Sequence, residues 1–368
     1  MKIAQVELFI IEMPLKSPFI THLGSVTHRE GIIVKITDHD GLTGLGEGVA
    51  FSTPWYTEET VKTSLHMITD ILIPLLKKHP IERPEEAAQL FKSIRRNHMA
   101  KAALETALWD LYAKQHSSPL SMILNGTQSI IASGVVVATN SPANAINQIE
   151  QYLKEGYQRI KVKINPEQDY SFLAEIRKEY PQLPIIADAN SSYTLKDIDR
   201  LKALDEFNLL MIEQPLAQDD IIEHAALQKE ICTPICLDES IVSFEDAKKA
   251  VELGSCQVIN IKVGRVGGLY EAKQIHDYCL AKHIPVWCGG MIEFGISRAH
   301  NIALASLPGF TIPGDISASN RFWEEDIILP EVQVENGYIK VPAEPGIGFS
   351  LNEKRLQETL LSKRTFQF

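Results

Sequence analysis

Five short apolar runs between residues 158 and 264 decide the fold: QRIKVKI (158–164), PIIADAN (184–190), LLMIEQP (209–215), PICLDES (234–240) and VINIKVG (258–264). Each reads as a buried strand that ends on a polar or charged side chain. Lys163, Asp188, Glu213, Asp238 and Lys262 follow one another at intervals of 25, 25, 25 and 24 residues. That interval is the length of one strand–helix unit, so the five are expected at equivalent heights on five consecutive strands. Working outward, IASGVVVAT (131–139), PVWCGGM (285–291) and TIPGDIS (311–317) bring the strand candidates to eight, with amphipathic helical stretches between most of them. Ser243 with Asp246 and Thr194 with Asp197 have the spacing of helix caps. Alternation of helices with buried apolar strands calls for parallel pairing. Eight such units over about 190 residues fit a closed barrel better than an open sheet.

The flanking regions have a different character. Residues 1 to about 50 read as strands, KIAQVELFII, GIIVKIT and LTGLGEGVA, with a turn at Asp40-Gly41. Helical stretches follow near 57–78, 84–96 and 98–116, the last placing Ala103, Ala107, Leu108 and Leu111 on one stripe. Asn125-Gly126 marks a turn that closes this portion. Segments 17–28 and 50–56 read as loops, the first able to close over a barrel mouth. His22 and His28 read as surface residues rather than ligands. Near the C-terminus VQVENGYIKV reads as a strand pair turning at Asn336-Gly337 and returning to the N-terminal unit. The expected organisation is a capping unit over 1–128, a barrel over 129–325 and a returning segment over 326–368.

Composition narrows the function class. Of 368 residues, 45% are hydrophobic and 23% charged, an ordinary globular balance. A formal net charge of −11 argues against nucleic acid or an anionic membrane as the main partner. A small anionic substrate stays compatible, because a bound cation and a few lysines reverse the field locally. The N-terminal run MKIAQVELFIIEMP is interrupted by Gln5, Glu7 and Glu12 and has no small-residue cleavage site, so it reads as an edge strand. No stretch reaches the roughly 18 apolar residues of a membrane span. The five cysteines, odd in number and without a CxxC pair, read as reduced thiols of a cytoplasmic protein.

At the C-terminal rim of a barrel, where catalytic groups gather, the five in-phase residues suit one another. Asp188, Glu213 and Asp238 would crowd three carboxylates together, and a cation would relieve them. All-oxygen ligation suits Mg²⁺, with Mn²⁺ as a substitute and positions left open for a substrate. Lys161 and Lys163 are two apart and share a strand face, and Lys262 stands on the opposite side. Near a metal, another lysine and apolar walls, a lysine is expected to have a lowered pKa and serve as a base. A carboxylate after a strand is otherwise usually a helix cap, and a lone lysine is usually solvated. Five in phase, ordered base, three ligands, base, are not explained that way.

Other residues leave two readings open. Glu239 either meets Lys262 from the rim or caps a helix. Asn190 either orders a metal-bound water or makes a turn. Arg265 is either a solvated loop charge or tunes Lys262. Gly289 and Gly290, followed by Met291 and Ile292, either let a substrate approach the backbone or make a tight turn.

ALWDL (107–111), KVK (161–163), DAN, EQP, LDES, NIK and CGGMIE…ASLPGFTIPGD resemble the muconate lactonizing branch of the enolase superfamily over essentially the whole chain. KVGRVGG (262–268) and FSTPWYTEE (51–59) resemble, within that branch, the o-succinylbenzoate synthase/N-succinylamino acid racemase group. Lysine bases working with Mg²⁺ on an ene-diolate are already known for that superfamily. The resemblance implies a (β/α)7β barrel with an α+β cap, its 15–28 and 50–56 loops covering the mouth. It implies Asp188, Glu213 and Asp238 as metal ligands, Lys163 and Lys262 as acid/bases on opposite faces, and Lys161 near the substrate carboxylate. Asn190, Glu239, Arg265, Gly290, Met291 and Ile292 become substrate-binding or supporting residues. Dehydration to o-succinylbenzoate for menaquinone synthesis is the expected reaction, with N-succinylamino acid racemisation beside it and homo-oligomeric assembly implied. The alternatives are racemisation as the main role, muconate cycloisomerisation, dipeptide epimerisation, or a non-catalytic metal-binding barrel, for which paired lysines have no use.

Overall fold

The computed structural model describes residues 1–368 apart from 22, 23 and 140. Seven parallel strands form one sheet, in chain order Val135–Val137, Ile160–Lys163, Ile185–Asp188, Met211–Glu213, Ile235–Leu237, Val258–Ile261 and Val286–Cys288. The TIPGDIS segment closes it. Gly134 N–H donates to Gly314 C=O at 2.7 Å on one side, and Asp315 N–H donates to Cys288 C=O at 2.8 Å on the other. The eighth strand is thus bonded to the first and the seventh, giving the expected (β/α)7β barrel. Helices lie between successive strands, from Pro142–Lys154 to Gly295–Ala305. Ser243 accepts a bond from Asp246 N–H, and Thr194 with Asp197 forms a capping box, as their spacing predicts.

Equal spacing does not place the five polar residues on one hydrogen-bonded row. Lys163 pairs with Asp188 and Asp188 with Glu213. Glu213 pairs with Cys236, so Asp238 stands two residues further along, and Cys236 pairs with Val258, so Lys262 stands a further two along. An average advance of about one residue per strand is the stagger of a tilted eight-stranded barrel. The tilt therefore returns the five to a common height, and steps of zero or two keep every side chain pointing inward. Below them Ile186, Met211, Cys236, Val258 and Trp287 pack as a separate apolar cluster, a dry floor inside the barrel.

The cap is an antiparallel sheet ordered Leu360–Gln367, Ile3–Thr21, Gly24–Asp38 and Thr43–Gly48. Three expectations are corrected here. The N-terminal strand is not an edge, because the last strand of the chain pairs along its outer side. Segment 17–28 is not a loop: apart from 22 and 23 it belongs to two long hairpin strands, paired down to Thr21 and Gly24 with a register shift between Pro14 and Phe19. His22 lies outside the described residues, and His28 is exposed. In VQVENGYIKV only Tyr338–Lys340 is a strand, and its partner is Ile130–Ala132 at the entrance to the barrel. The turn is held by a single bridge between Glu335 and Tyr338.

Helix His98–Gln115 is buried on more than the one stripe its sequence suggests. Ala103, Ala107, Leu108 and Leu111 pack into the cap core, while Met99, Trp109 and Ala113 belong to the barrel core. Alanines and cap glycines bring the layers close: a Cβ on Gly46 would lie 2.2 Å from Ala103 C=O. The second predicted helix stops at Phe91, and the first is continuous over 61–78 with a π-helical middle, Met67–Leu72.

Candidate active site

Strand ends deliver the charged groups to one buried row. Lys161, Asp188, Glu213, Asp238 and Lys262 are all buried, and only Lys163 is open to the mouth. Lys161 Nζ lies 2.8 Å from Asp188 Oδ2, 2.7 Å from Glu213 Oε2 and 3.4 Å from Asp315 Oδ2. Lys163 Nζ donates to Asp188 Oδ2 at 2.7 Å and to Asn190 Oδ1 at 2.5 Å. At the other end Lys262 Nζ donates to Asp238 Oδ2 at 2.9 Å and to Tyr56 Oη at 2.8 Å. Lys163 and Lys262 therefore reach the carboxylate row from its two ends.

The two-way readings resolve as follows. Asn190 makes the turn, with a left-handed backbone (φ 41°) and its N–H donating to Asp188, and its side chain bridges Lys163 and Glu239. Glu239 accepts Asn190 Nδ2 at 3.2 Å and acts on Lys262 through its charge and not through a hydrogen bond; it caps no helix. Arg265 is not solvated. Its guanidinium is buried against Asp238 Oδ1 and donates to Ile241 C=O at 2.7 Å and Asn260 C=O at 2.5 Å. Gly289 is glycine because its neighbours fill the space: a Cβ there would lie 2.4 Å from Asn260 Oδ1 and 2.7 Å from Lys262 Cε. A Cβ on Gly290 would lie 2.7 Å from Asp315 C=O. Met291 and Ile292 are largely buried beyond it, Ile292 with φ 55°, an uncommon conformation for a β-branched residue.

Four contributors escaped the sequence reading. Asn260, two residues before Lys262, donates to Glu213 Oε1 at 3.0 Å. Asp315, on the closing strand, pairs with Arg159 at 2.7 Å and touches Lys161. Strand parity could have found both, since each is a polar residue at an inward position of an apolar run. Gln214 accepts Asp238 N–H at 3.0 Å and fixes the backbone beneath that carboxylate. Tyr56 comes from an irregular cap segment and carries no periodic signal. Its loop is stiffened by Arg29, which donates to Val49 C=O at 2.5 Å and Ala50 C=O at 2.7 Å and stacks 4.3 Å from the Phe51 ring centroid. Trp55 packs between Phe51 and Tyr56, with ring centroids at 4.5 and 5.8 Å.

The charged groups of the row shift one another. Burial pulls Lys262 down, but Tyr56, Glu239 and Glu213 outweigh it and hold the ammonium above its ordinary range. Lys161 is likewise raised, burial being overcome by Asp188, Glu213 and Asp315. With acidic and basic side chains alone, these two lysines are thus raised, opposite to the lowering expected beside a bound metal. No three His, Cys, Asp or Glu side chains group as a metal site among the described residues. Burial pushes Asp188 up, yet Lys161 and Lys163 hold it well below the usual carboxylate range. Glu213 goes the other way, raised by burial and by Asp188. Its Oε2 meets Lys161 only as an ion contact and is left without a hydrogen bond. A buried oxygen with unused acceptor capacity, between two further carboxylates, fits a hard divalent cation.

The comparisons agree with this geometry. Residues 5–125 match the mandelate racemase/muconate lactonizing enzyme N-terminal domain, and residues 144–355 match the enolase C-terminal domain-like family. The chain is similar to an o-succinylbenzoate synthase of Geobacillus stearothermophilus, 55% identical over 94% of this chain and 93% of that one. It is also similar to an N-succinylamino acid racemase of Thermus thermophilus, 42% identical over 99% of both chains. The crystal structure of an enolase superfamily member from Listeria innocua superposes with a TM-score of 0.98 at 42% identity, over 100% of this chain and 99% of the other. With both halves matched and the polar row intact, the chain belongs to the muconate lactonizing enzyme branch of the enolase superfamily.

Proposed function

We propose that the chain is an o-succinylbenzoate synthase, a hydro-lyase that dehydrates the hydroxylated precursor of o-succinylbenzoate for menaquinone synthesis, with N-succinylamino acid racemase activity beside it. The observation that carries this reading is the approach of Lys163 and Lys262 to one buried carboxylate row from opposite ends. Relatives of both names support the pair of activities. In dehydration Lys163 as the free amine removes the proton alpha to the substrate carboxylate. The same nitrogen then returns that proton to the departing hydroxide, so substrate becomes product plus water. Lys262 remains an ammonium and balances the charge that develops on the enolate. Asn190 aims Lys163, Lys161 stands ready beside the substrate carboxylate, and the apolar floor keeps water from below. Gly290, Met291 and Ile292 line the approach.

Members of the superfamily generally require a divalent metal, and here Asp188, Glu213 and Asp238 would hold Mg²⁺ or Mn²⁺. Bound there, the cation would supply positive charge opposite the substrate carboxylate. In racemisation the two lysines divide the work, one removing the proton and the other delivering it to the opposite face. The same proposal includes the division at 1–128, 129–325 and 326–368, homo-oligomeric assembly, a cytoplasmic location and a small carboxylate rather than nucleic acid or membrane as partner. No helix among the described residues is long and apolar enough to cross a membrane.

The test supplies the purified chain with the precursor and Mg²⁺ and follows the aromatic product by absorbance. Turnover that disappears on chelation and returns with Mg²⁺ or Mn²⁺ is expected. Full turnover by demonstrably metal-free protein would overturn the ligand assignment. Racemisation without any dehydration would make racemisation the main role.

A further inference from the structure

The two barrel helices that begin just beyond the Lys262 and Met291–Ile292 segments have no cap of their own at the first turn. Helix Leu269–Ala281 starts after Gly268, and helix Gly295–Ala305 after Phe294; neither N-cap residue makes a side-chain capping bond. In both cases a buried carboxylate arrives from the cap. Glu105, on helix His98–Gln115, accepts Leu269 N–H and Tyr270 N–H, each at 2.8 Å, and is itself held by Trp109 Nε1 at 2.6 Å. Glu47, on strand Thr43–Gly48, accepts Phe294 N–H at 2.8 Å and Ser297 N–H at 2.7 Å. First-turn N–H groups lack partners within their own helix, and a carboxyl oxygen placed there accepts them; when ionised it also meets the positive end of the helix dipole.

The glycines of KVGRVGG make room for this docking. A Cβ on Gly264 would lie 2.3 Å from Val49 Cγ2, one on Gly267 3.1 Å from His98 Nδ1, and one on Gly268 2.4 Å from Glu105 Oε2. The segment from Lys262 to Leu269, including Arg265 on Asp238, is thus pressed against the cap throughout. On the other side Arg29 of the cap donates to Ile292 C=O at 3.3 Å, immediately before the helix that Glu47 caps.

We propose that Glu105 and Glu47 are positioning residues: cap-borne carboxylates that close the N-termini of two barrel helices and thereby fix Lys262 and the Gly290–Ile292 segment at the mouth. The kinetic part rests on the reading of Lys262 and of 290–292 given above; the capping part does not. Amide hydrogen exchange by mass spectrometry on peptides covering 262–272 and 289–299 separates the two. Glu105→Gln is expected to speed exchange at Leu269 and Tyr270 about 10-fold or more while sparing Phe294 and Ser297, and Glu47→Gln to do the reverse. With the precursor, Glu105→Gln should act mainly on kcat, through Lys262, and Glu47→Gln mainly on KM, through 290–292, each by about 10-fold, below the roughly 10²-fold that a misplacement of about 1 Å can cost. Glu105→Asp and Glu47→Asp, which keep the carboxyl group, should recover part of each loss, and they carry the same readouts if the Gln forms fail to fold. Unchanged exchange at the two helix starts overturns the capping assignment. Faster exchange with kcat and KM both within about twofold of the parent makes the carboxylates structural only and overturns the positioning role. Faster exchange in a chain that never dehydrates the precursor upholds the caps and removes the functional reading instead.

Discussion

The lysines at the two ends of the carboxylate row have unlike surroundings. Lys163 sits at the tip of its strand with its side chain 35% exposed, held by Asp188 and Asn190. Lys262 is 9% exposed, fastened to Asp238 and Tyr56 and roofed by the cap. An open amine can exchange its proton with water between turnovers, whereas a covered, doubly bonded ammonium is built to keep its charge. Dehydration needs one of each kind, but racemisation asks both lysines to trade protons. The asymmetry suits the first reaction, and how far it can be relaxed sets the second.

The largest expected effect comes from removing the open end. Lys163→Ala should lower both dehydration and racemisation by about 10²–10⁴-fold with the fold intact, since no neighbouring base is placed to substitute. Steady-state rates with circular dichroism as a folding control check it, and near-normal turnover would show that the open lysine is not the base. A smaller effect is expected at the covered end. Tyr56→Phe removes one of the two partners of Lys262, a charge-assisted bond worth about 1.5–3 kcal/mol. It should cost about 10- to 100-fold in kcat. An undisturbed kcat would mean that Asp238 alone fixes Lys262.

Arg265→Gln probes the asymmetry itself. Arg265 occupies Asp238 Oδ1 and leaves Oδ2 to Lys262. Without the guanidinium, Asp238 can bind Lys262 more fully, and that lysine should part with its proton less readily. Racemisation is then expected to fall about 10-fold further than dehydration, most for the enantiomer whose proton Lys262 removes. Deuterium exchange followed for each enantiomer decides it, and equal losses would assign Arg265 to structure alone.

The last effect concerns the roof, and it falls on stability and not on rate. Burial, assisted by Glu293 and opposed by two backbone donors and Arg29, raises the Glu47 carboxyl to about 8 from 4.5. A carboxyl raised on folding favours the folded state at low pH. Its contribution is complete below about pH 4.5 and is lost as pH rises through about 8. Between those limits it should lower stability by at most about 1.4 kcal/mol per pH unit. Denaturation curves of the parent and Glu47→Gln across this window should therefore differ in slope, and parallel curves would place the Glu47 pKa near its ordinary value.

How much of this was legible in the sequence depended on whether a residue's role lay along its own strand. The barrel and the polar row were readable because strand–helix units repeat at near-constant length, and the barrel's stagger keeps equally spaced residues at one height even where the hydrogen-bond register advances. Asn260 and Asp315 were within reach of the same logic but were passed over as ordinary polar residues in apolar runs. Tyr56, Glu47 and Glu105 were not readable, because their partners lie 206, 247 and 164 positions away across the cap–barrel contact. The raised state of Lys161 and Lys262 is legible only once the carboxylates around them are counted as partners of the lysines as well as ligands for a cation. The hairpin over 17–28 was read as a loop because its polar and small residues lack alternation, while its pairing is set by the strands on either side.

The strand Leu360–Gln367 runs beside Ile3–Thr21, and Phe368 N–H donates to Ala4 C=O at 2.9 Å. As the chain leaves the ribosome, strand Ile3–Thr21 must wait for strand Leu360–Gln367, made about 340 residues later. At about 5–20 residues per second the wait is tens of seconds, with a long apolar strand lacking its outer neighbour throughout. The barrel, whose neighbouring strands follow one another in sequence, can assemble meanwhile, so the roof over its mouth is finished only after strand Leu360–Gln367 has been made.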